Sequence, residues 1–169
     1  GELHLVSFSE INVSDKNIRE IVIEKPTVHK KIKDFNVNDN VATRAFIVNM
    51  FEPKFFEVCP ECRRKISENG ECNDHGKVVP EKRSLLSLIV DDGSDNIRAT
   101  IFSEVLEKII PREELENSDL FSGRKQEFLG KELIVKGKVR RNSMFDSNDF
   151  VIEGFEEINL SNLIEELEK

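Results

Sequence analysis

Three cysteines and a histidine fall into two close pairs, Cys59-Pro60-Glu61-Cys62 and Cys72-Asn73-Asp74-His75, with nine residues between them. These are all the cysteines the chain has, and an odd count argues against a disulfide framework. A two-residue spacer puts both donors of a pair on one tight turn. The two pairs together offer four tetrahedral donors and leave no open coordination position. Gly70 and Gly76 flank the second pair and supply turn freedom. The expectation is one structural Zn²⁺ held by Cys59, Cys62, Cys72 and His75. A zinc deaminase site is excluded, because it needs Pro directly before its first Cys and a His-x-Glu. Here Val58 precedes Cys59, and none of His4, His29 and His75 has Glu two residues on. His4 and His29 read as surface or strand positions.

Period-two alternation of β-branched and apolar residues marks five strands, at 42–51, 84–91, 96–102, 131–141 and 149–158. Asp91-Asp92-Gly93-Ser94-Asp95-Asn96 is a dense turn signal and predicts a hairpin between the second and third. Val105, Leu106, Ile109 and Ile110 at helical spacing predict a helix over 104–115, ended or kinked at Pro111. Leu163, Ile164 and Leu167 behind the N-cap Ser161 predict a short amphipathic helix over 161–169. Three strands, a helix and two strands is the order of an OB fold. The predicted class is all-β with minor α: a five-stranded OB-fold barrel with a zinc ribbon inserted at 57–80 and a short C-terminal helix. Residues 7–14 (SFSEINVS) echo residues 154–161 (GFEEINLS) at five of eight positions. On that basis 1–35 is expected to be the closing strand of a preceding OB fold plus connector, 36–160 the OB fold, and 161–169 the helix.

A net charge of −8 looks wrong for a nucleic-acid binder, but the acid is localised. Residues 104–119 carry −4 and residues 153–169 carry −5, whereas residues 131–141 carry +4. Binding an unpaired strand takes cations for phosphates and aromatic faces for bases. The chain has twelve Phe and neither Trp nor Tyr, so stacking falls to Phe. On the fourth strand alternation turns Leu133, Val135, Gly137 and Val139 inward, and Ile134, Lys136, Lys138 and Arg140 outward. On the third strand Arg98, Thr100 and Phe102 face outward. Phe55 and Phe56 are expected in a loop just before the metal pairs, Phe145 follows Arg140 and Arg141 in a polar loop, and Arg44 adds a cation on the first strand. The expected single-stranded-DNA contacts are Arg44, Phe55, Phe56, Arg98, Phe102, Lys136, Lys138, Arg140, Arg141 and Phe145.

The metal pairs, Leu88-Ile89-Val90-Asp91-Asp92-Gly93, Ile97-Arg98-Ala99-Thr100-Ile101-Phe102 and Val139-Arg140-Arg141-Asn142-Ser143-Met144-Phe145-Asp146 together resemble the zinc-bearing OB domain of archaeal replication protein A, over about residues 36–160. The resemblance implies protection of single-stranded DNA in replication, repair and recombination. It implies a zinc ribbon between the first two strands, and it sets Arg98, Phe102 and Phe145 against DNA. It also implies assembly with other subunits through the C-terminal helix, and a cytoplasmic, nucleoid-associated location. The Cys3His set departs from the four cysteines usual in eukaryotic relatives.

No apolar run approaches the roughly 20 residues of a membrane span. The chain starts at Gly1 without a signal peptide, so a soluble intracellular protein cut from a longer one is expected, with neither membrane nor small-molecule substrate as partner. An assembly core with weak DNA affinity of its own is the alternative reading, and an RNA-binding module is another. A nuclease using Asp91, Asp92 and Asp95 around Mg²⁺ is set aside. Aspartates belong in hairpin turns for backbone reasons, and no nucleophile and base pair or phosphate loop accompanies them.

Overall fold

Alternation decides the architecture. Along most of each long strand the residues of one parity bury and those of the other are more exposed, with Ala42, Met50 and Ser87 buried out of phase. The computed structural model describes residues 26–67, 69–142 and 147–158. Phe145, the predicted helix at 161–169, His4 and the sequence echo at 7–14 lie outside them. The strands are β1 (Val28–His29), β2 (Asn40–Met50), β3 (Lys54–Val58), β4 (Glu71–Cys72), β5 (Gly76–Lys77), β6 (Glu81–Asp91), β7 (Asn96–Phe102), β8 (Glu132–Asn142) and β9 (Ser147–Glu156). Three helices, α1 (Ser103–Leu106), α2 (Arg112–Glu116) and α3 (Ser118–Phe128), lie between β7 and β8.

Five of the strands close on themselves. β2 pairs with β8, β8 with β9, β9 with β7, β7 with β6, and β6 returns to β2. All these pairings are antiparallel except β7–β9, which is parallel. This is the five-stranded OB ring expected from the sequence. Val41, Ala45, Ile47, Leu86, Leu88, Val90, Ala99, Val135, Val139 and Phe150 are fully buried inside it. β1 extends the sheet beside β2, and β3 extends it beside β6.

The helical segment is more broken than its apolar spacing predicts. Leu106 and Ile110 bury as expected, but α1 ends at Leu106, and Pro111 stands at the N-cap of α2. Proline lacks the amide that would continue the helix through it. α3 is not legible in the periodicity, because Phe121 is its one buried side chain. The local signal is Asn117, whose side-chain oxygen accepts from the amides of Asp119 and Leu120 at 3.0 and 3.2 Å.

Two tight places fix the ring. The β8–β9 register slips between Lys136 and Gly137, and a Cβ at Gly137 would lie 2.0 Å from the Val151 carbonyl oxygen. In the β6–β7 hairpin, Asp92 accepts from the Ser94 amide and hydroxyl with one oxygen and from the Ile32 amide at 2.8 Å with the other. The carboxylates of this turn therefore serve backbone amides: Asp91 accepts likewise from Gly93. Burial pushes the Asp92 carboxyl up, but the Ser94 hydroxyl and the amides of Ile32, Ser94 and Asp95 outweigh it and hold it below the ordinary 3.8.

Gly137→Ala should cost about 1–3 kcal/mol or more, because backbone must move to admit the methyl; an unchanged melting temperature contradicts the close approach. Asp92→Ala should cost about 1–3 kcal/mol at neutral pH by orphaning the buried Ile32 amide. A carboxyl lowered in the folded state stabilises fully above its unfolded value and stops doing so as pH falls through its folded value. The gap between wild type and Asp92→Ala in denaturant titrations should therefore close on acidification, and a gap independent of pH contradicts the assignment.

Candidate metal centre and nucleic-acid face

The metal pairs sit on an arm built from β3 and the first half of β6, with β4 and β5 as a separate small hairpin. The first pair rides on a turn after β3. The Arg63 amide donates to the Cys59 carbonyl at 2.8 Å, and the Cys59 amide donates to the Arg64 carbonyl at 2.9 Å. That turn holds Arg63 at φ 58°, and the second turn holds Gly76 at φ 66°. The module's own core is Cys59, Ile66 and Cys72, with Cys62 and Val78 packed on them. Three of these five residues are cysteines, and an apolar core that small cannot hold 57–80 without a crosslink.

The ligand atoms of Cys59, Cys62, Cys72 and His75 all lie within 4.8 Å of one another. The sulfurs of Cys59 and Cys72 are 3.5 and 3.6 Å from His75 Nδ1, and those of Cys62 and Cys72 are 3.5 Å apart. Tetrahedral bonds of about 2.3 Å to sulfur and about 2.0–2.1 Å to nitrogen place neighbouring donors about 3.5–3.8 Å apart. The quartet therefore has the spacing to hold a metal ion. His75 Nε2 faces Glu61 at 3.3 Å, which orients the ring with Nδ1 toward the sulfurs. The Asp74 amide, helped by that of His75, outweighs burial and holds the Cys72 thiol down to about 6, which favours the thiolate form that ligates metals.

The barrel face over β6 and β7 carries a second set of side chains. Arg98 and Phe102 point outward from β7, as alternation predicts, with Ala99 and Ile101 buried between them and Ile97 buried just before. The Arg98 guanidinium lies 5.3 Å from the centre of the Phe51 ring and donates to Ser87 Oγ at 3.3 Å. Phe102 shares a hollow of about 280 Å³ with Phe56, Arg63 and Arg83, so one wall comes from the barrel and one from the metal arm. Arg83 in that hollow is paired with Glu104 and Glu81. Phe55 and Phe56 stand on β3 rather than in a loop. Phe55 packs toward the core with Lys82 Nζ 4.8 Å from its ring, and both rings line a hollow of about 350 Å³ with Lys65 and Ser67.

The remaining expected contacts belong to the β2–β8–β9 arc. Arg44 makes a two-pronged pair with Glu132, Lys136 pairs with Glu156, and Lys138 lies 3.1 Å from Glu153. The outward orientation of Lys136 and Lys138 is as read from the sequence, while each of the three charges is matched by a carboxylate on a neighbouring strand. Arg140 and Arg141 are exposed at the far end of β8.

Several side chains on the outer surface of the ring were not singled out from the sequence. Phe46, Val48 and Phe51 are exposed by 43, 50 and 38%. The available signal was on β2 itself: Phe46 and Val48 are apolar at outward positions, alternating with Ala45 and Ile47 that fill the core. Asp149 is the other. Its carboxylate accepts from Thr100 Oγ1 at 3.3 Å, and burial pushes its carboxyl up against that hydrogen bond and the charge of Arg98.

Metal analysis after loading with Zn²⁺ should find one equivalent per chain, and Cys72→Ala should lose it. Limited proteolysis of that variant should cut within 57–80 and leave the barrel intact. Stoichiometric metal in the variant, or loss of the barrel with it, contradicts a self-contained metal module.

No family model and no curated protein matches this sequence. Solved structures do match in fold. A chain of a replication protein A heterotrimer bound to ssDNA superposes with a TM-score of 0.60 at 20% identity, covering 80% of this chain and 37% of its own length. This chain thus spans little more than a third of that relative. A chain of yeast RPA bound to ssDNA gives 0.55 at 13% identity, covering 88% of this chain and 98% of its own. The second OB-fold domain of replication protein A from Methanococcus maripaludis gives 0.46 at 18% identity, over 77% and 94%. The closed ring described above is thus a fold this chain shares with replication protein A, the family its motifs resemble.

Proposed function

We propose that this chain binds single-stranded DNA on the outward face of β6 and β7, beside a structural zinc site. The observation that carries the reading is the Arg98–Phe51 pair on the surface that OB folds use for oligonucleotides. A guanidinium over an exposed ring offers a phosphate contact and a stacking plane at one place. Phe56 and Phe102 supply further apolar faces toward the metal arm. The two similar structures above hold ssDNA, which supports the same ligand class for this chain. Arg141 near the end of β8 and Phe145, which lies outside the described residues, remain expected contacts in this reading. Zinc is the metal because three sulfurs and one imidazole in tetrahedral array suit it, and four protein ligands leave no place for substrate. The resemblance extends the proposal to replication, repair and recombination in the cytoplasm at the nucleoid. The echo between 7–14 and 154–161 extends it to a preceding OB fold ending within 1–35, and the resemblance extends it to subunit contacts through 161–169.

A second reading is supported by the ion pairs on β2, β8 and β9. With Arg44, Lys136 and Lys138 matched by carboxylates, fewer free cations face phosphates, and the chain would be an assembly core of weak affinity. Fluorescence anisotropy of a labelled oligothymidine at two salt concentrations separates the two. On the first reading Phe51→Ala weakens binding by about 1–3 kcal/mol, and Arg98→Ala lowers the salt slope by somewhat under about one. Duplex DNA should compete poorly. Absence of binding at low salt would move the assignment to the assembly core. An unchanged slope in Lys138→Ala would show that its pair with Glu153 survives in the complex.

A further inference from the structure

Two contacts outside the Cys/His quartet run from the first ligand turn, 59–64, to the second, 72–75. His75 Nε2 lies 3.3 Å from the Glu61 carboxylate, and the Arg64 guanidinium pairs with the Asp74 carboxylate. Glu61 stands between Cys59 and Cys62, and Asp74 stands between Cys72 and His75. Each contact therefore ties one ligand turn to the other.

Both contacts end on groups that touch a ligand atom. His75 turns Nδ1 to the sulfurs of Cys59 and Cys72. When Nδ1 ligates a metal, the ring proton sits on Nε2 and is donated to Glu61, which fixes tautomer and ring plane together. The Asp74 backbone amide donates to the Cys72 sulfur, and the Arg64 backbone amide donates to the Cys62 sulfur. The Arg64–Asp74 pair thus joins two residues whose amides each hold a sulfur, one in either turn. Arg64 also accepts from the Cys59 amide through its carbonyl at 2.9 Å, so its backbone meets both cysteines of the first pair.

The pattern of charge decides which position meets which. Glu61 faces His75 and Arg64 faces Asp74. The exchanged pairing would set carboxylate against carboxylate and guanidinium against imidazole, which is unfavourable. The core of the module is too small to impose that register, because only Ile66 and Val78 pack there with the cysteines. The Arg64 and Asp74 side chains are 71 and 48% exposed, so their pair adds little to folding stability. Its consequence is placement of the ligand atoms.

Resting on the zinc reading above, we infer that Glu61, Arg64 and Asp74 are positioning residues for the metal, which hold the two ligand turns in register and set the affinity for Zn²⁺. Glu61 acts through the His75 ring. The Arg64–Asp74 pair acts through the amides directed at Cys62 and Cys72.

The test uses the full chain with its thiols reduced. Zn²⁺ affinity is measured at one pH by competition with a chromogenic chelator, and Co²⁺ serves as a spectroscopic probe of the same site. Glu61→Ala and Arg64→Ala should each weaken Zn²⁺ binding by about tenfold or more. Glu61→Gln keeps an acceptor for Nε2–H and should recover most of that loss. Arg64→Asp should bind more weakly than Arg64→Ala, and combining it with Asp74→Arg should restore most of the affinity. These two rescues keep the inference testable if an alanine variant folds poorly. The ligand-field bands of bound Co²⁺ should move in Glu61→Ala and stay in place in Glu61→Gln, a change that a role in stability alone would not produce. Zn²⁺ affinity unchanged in both alanine variants, or an exchanged pair that binds as weakly as Arg64→Asp alone, overturns the inference. If the wild-type chain takes up no Zn²⁺, the underlying zinc reading fails instead.

Discussion

Strand β6 hydrogen-bonds to β3 through residues 81–85, to β2 through residues 88–91 and to β7 along residues 85–91. Its alternation has to satisfy all three neighbours at once. Leu86, Leu88 and Val90 fill the barrel with no exposure, while Leu85, Ser87 and Ile89 form the floor of the outer face. The handover from β3 to β2 happens around Ser87, whose carbonyl accepts from the Phe51 amide and whose hydroxyl accepts from Arg98. A one-residue slip of β6 would turn the core leucines outward and separate Phe51 from Arg98 in the same step. Barrel closure and the outer face of β6 and β7 are therefore one constraint.

That constraint explains how much was readable beforehand. The five ring strands, their inward sets on β7 and β8, the hairpin at Asp92 and the metal quartet all rest on spacing within a few residues, and spacing is what a sequence displays. The features that were not readable depend on partners far along the chain. β3 became a strand because β6 runs on past the ring to receive it. α3 buries one ring, Phe121, and so shows no period. The pairs Arg44–Glu132, Lys136–Glu156 and Lys138–Glu153 join different strands, and nothing in the run 131–141 announces that its excess charge is met from β9. Charge counted along the chain makes a basic stripe; counted across the sheet, it makes a nearly neutral arc.

The same cross-strand pairing reconciles an acidic chain with the anionic ligand proposed for it. Most carboxylates of the helical segment are also taken up locally: Glu104 by Arg83, Glu114 and Glu127 by Arg124, and Glu116 by Lys82 and Arg112. Exposed pairs of this kind add little stability. Their effect is on the field: each pair cancels at distances beyond a Debye length of about 10 Å at 0.1 M salt. A ligand approaching β6 and β7 then senses the nearby Arg98, Arg63 and Arg140 more than the net charge of −8. Affinity built that way is short-ranged, and aromatic contact has to supply more of it than a uniformly basic groove would require.

The metal module enters the face through geometry rather than charge. Residues 57–83 carry as many acids as bases, so the arm as a whole exerts little field of its own. What it contributes is position. Arg63 is held in the left-handed region by the turn that brings Cys59 and Cys62 together. Phe56 is held on β3, which ends at Val58 just ahead of that turn. Both line the hollow that Phe102 enters from the barrel. A residue other than glycine in the left-handed region costs roughly 1–3 kcal/mol and persists only where its surroundings over-determine it. Here the surroundings are the backbone hydrogen bonds of the Cys59–Arg64 turn and the Cys/His quartet packed beside it. Releasing them would relax Arg63 and free the arm to move against β7. The wall of the hollow opposite Phe102 is thus only as well placed as the quartet is tightly held.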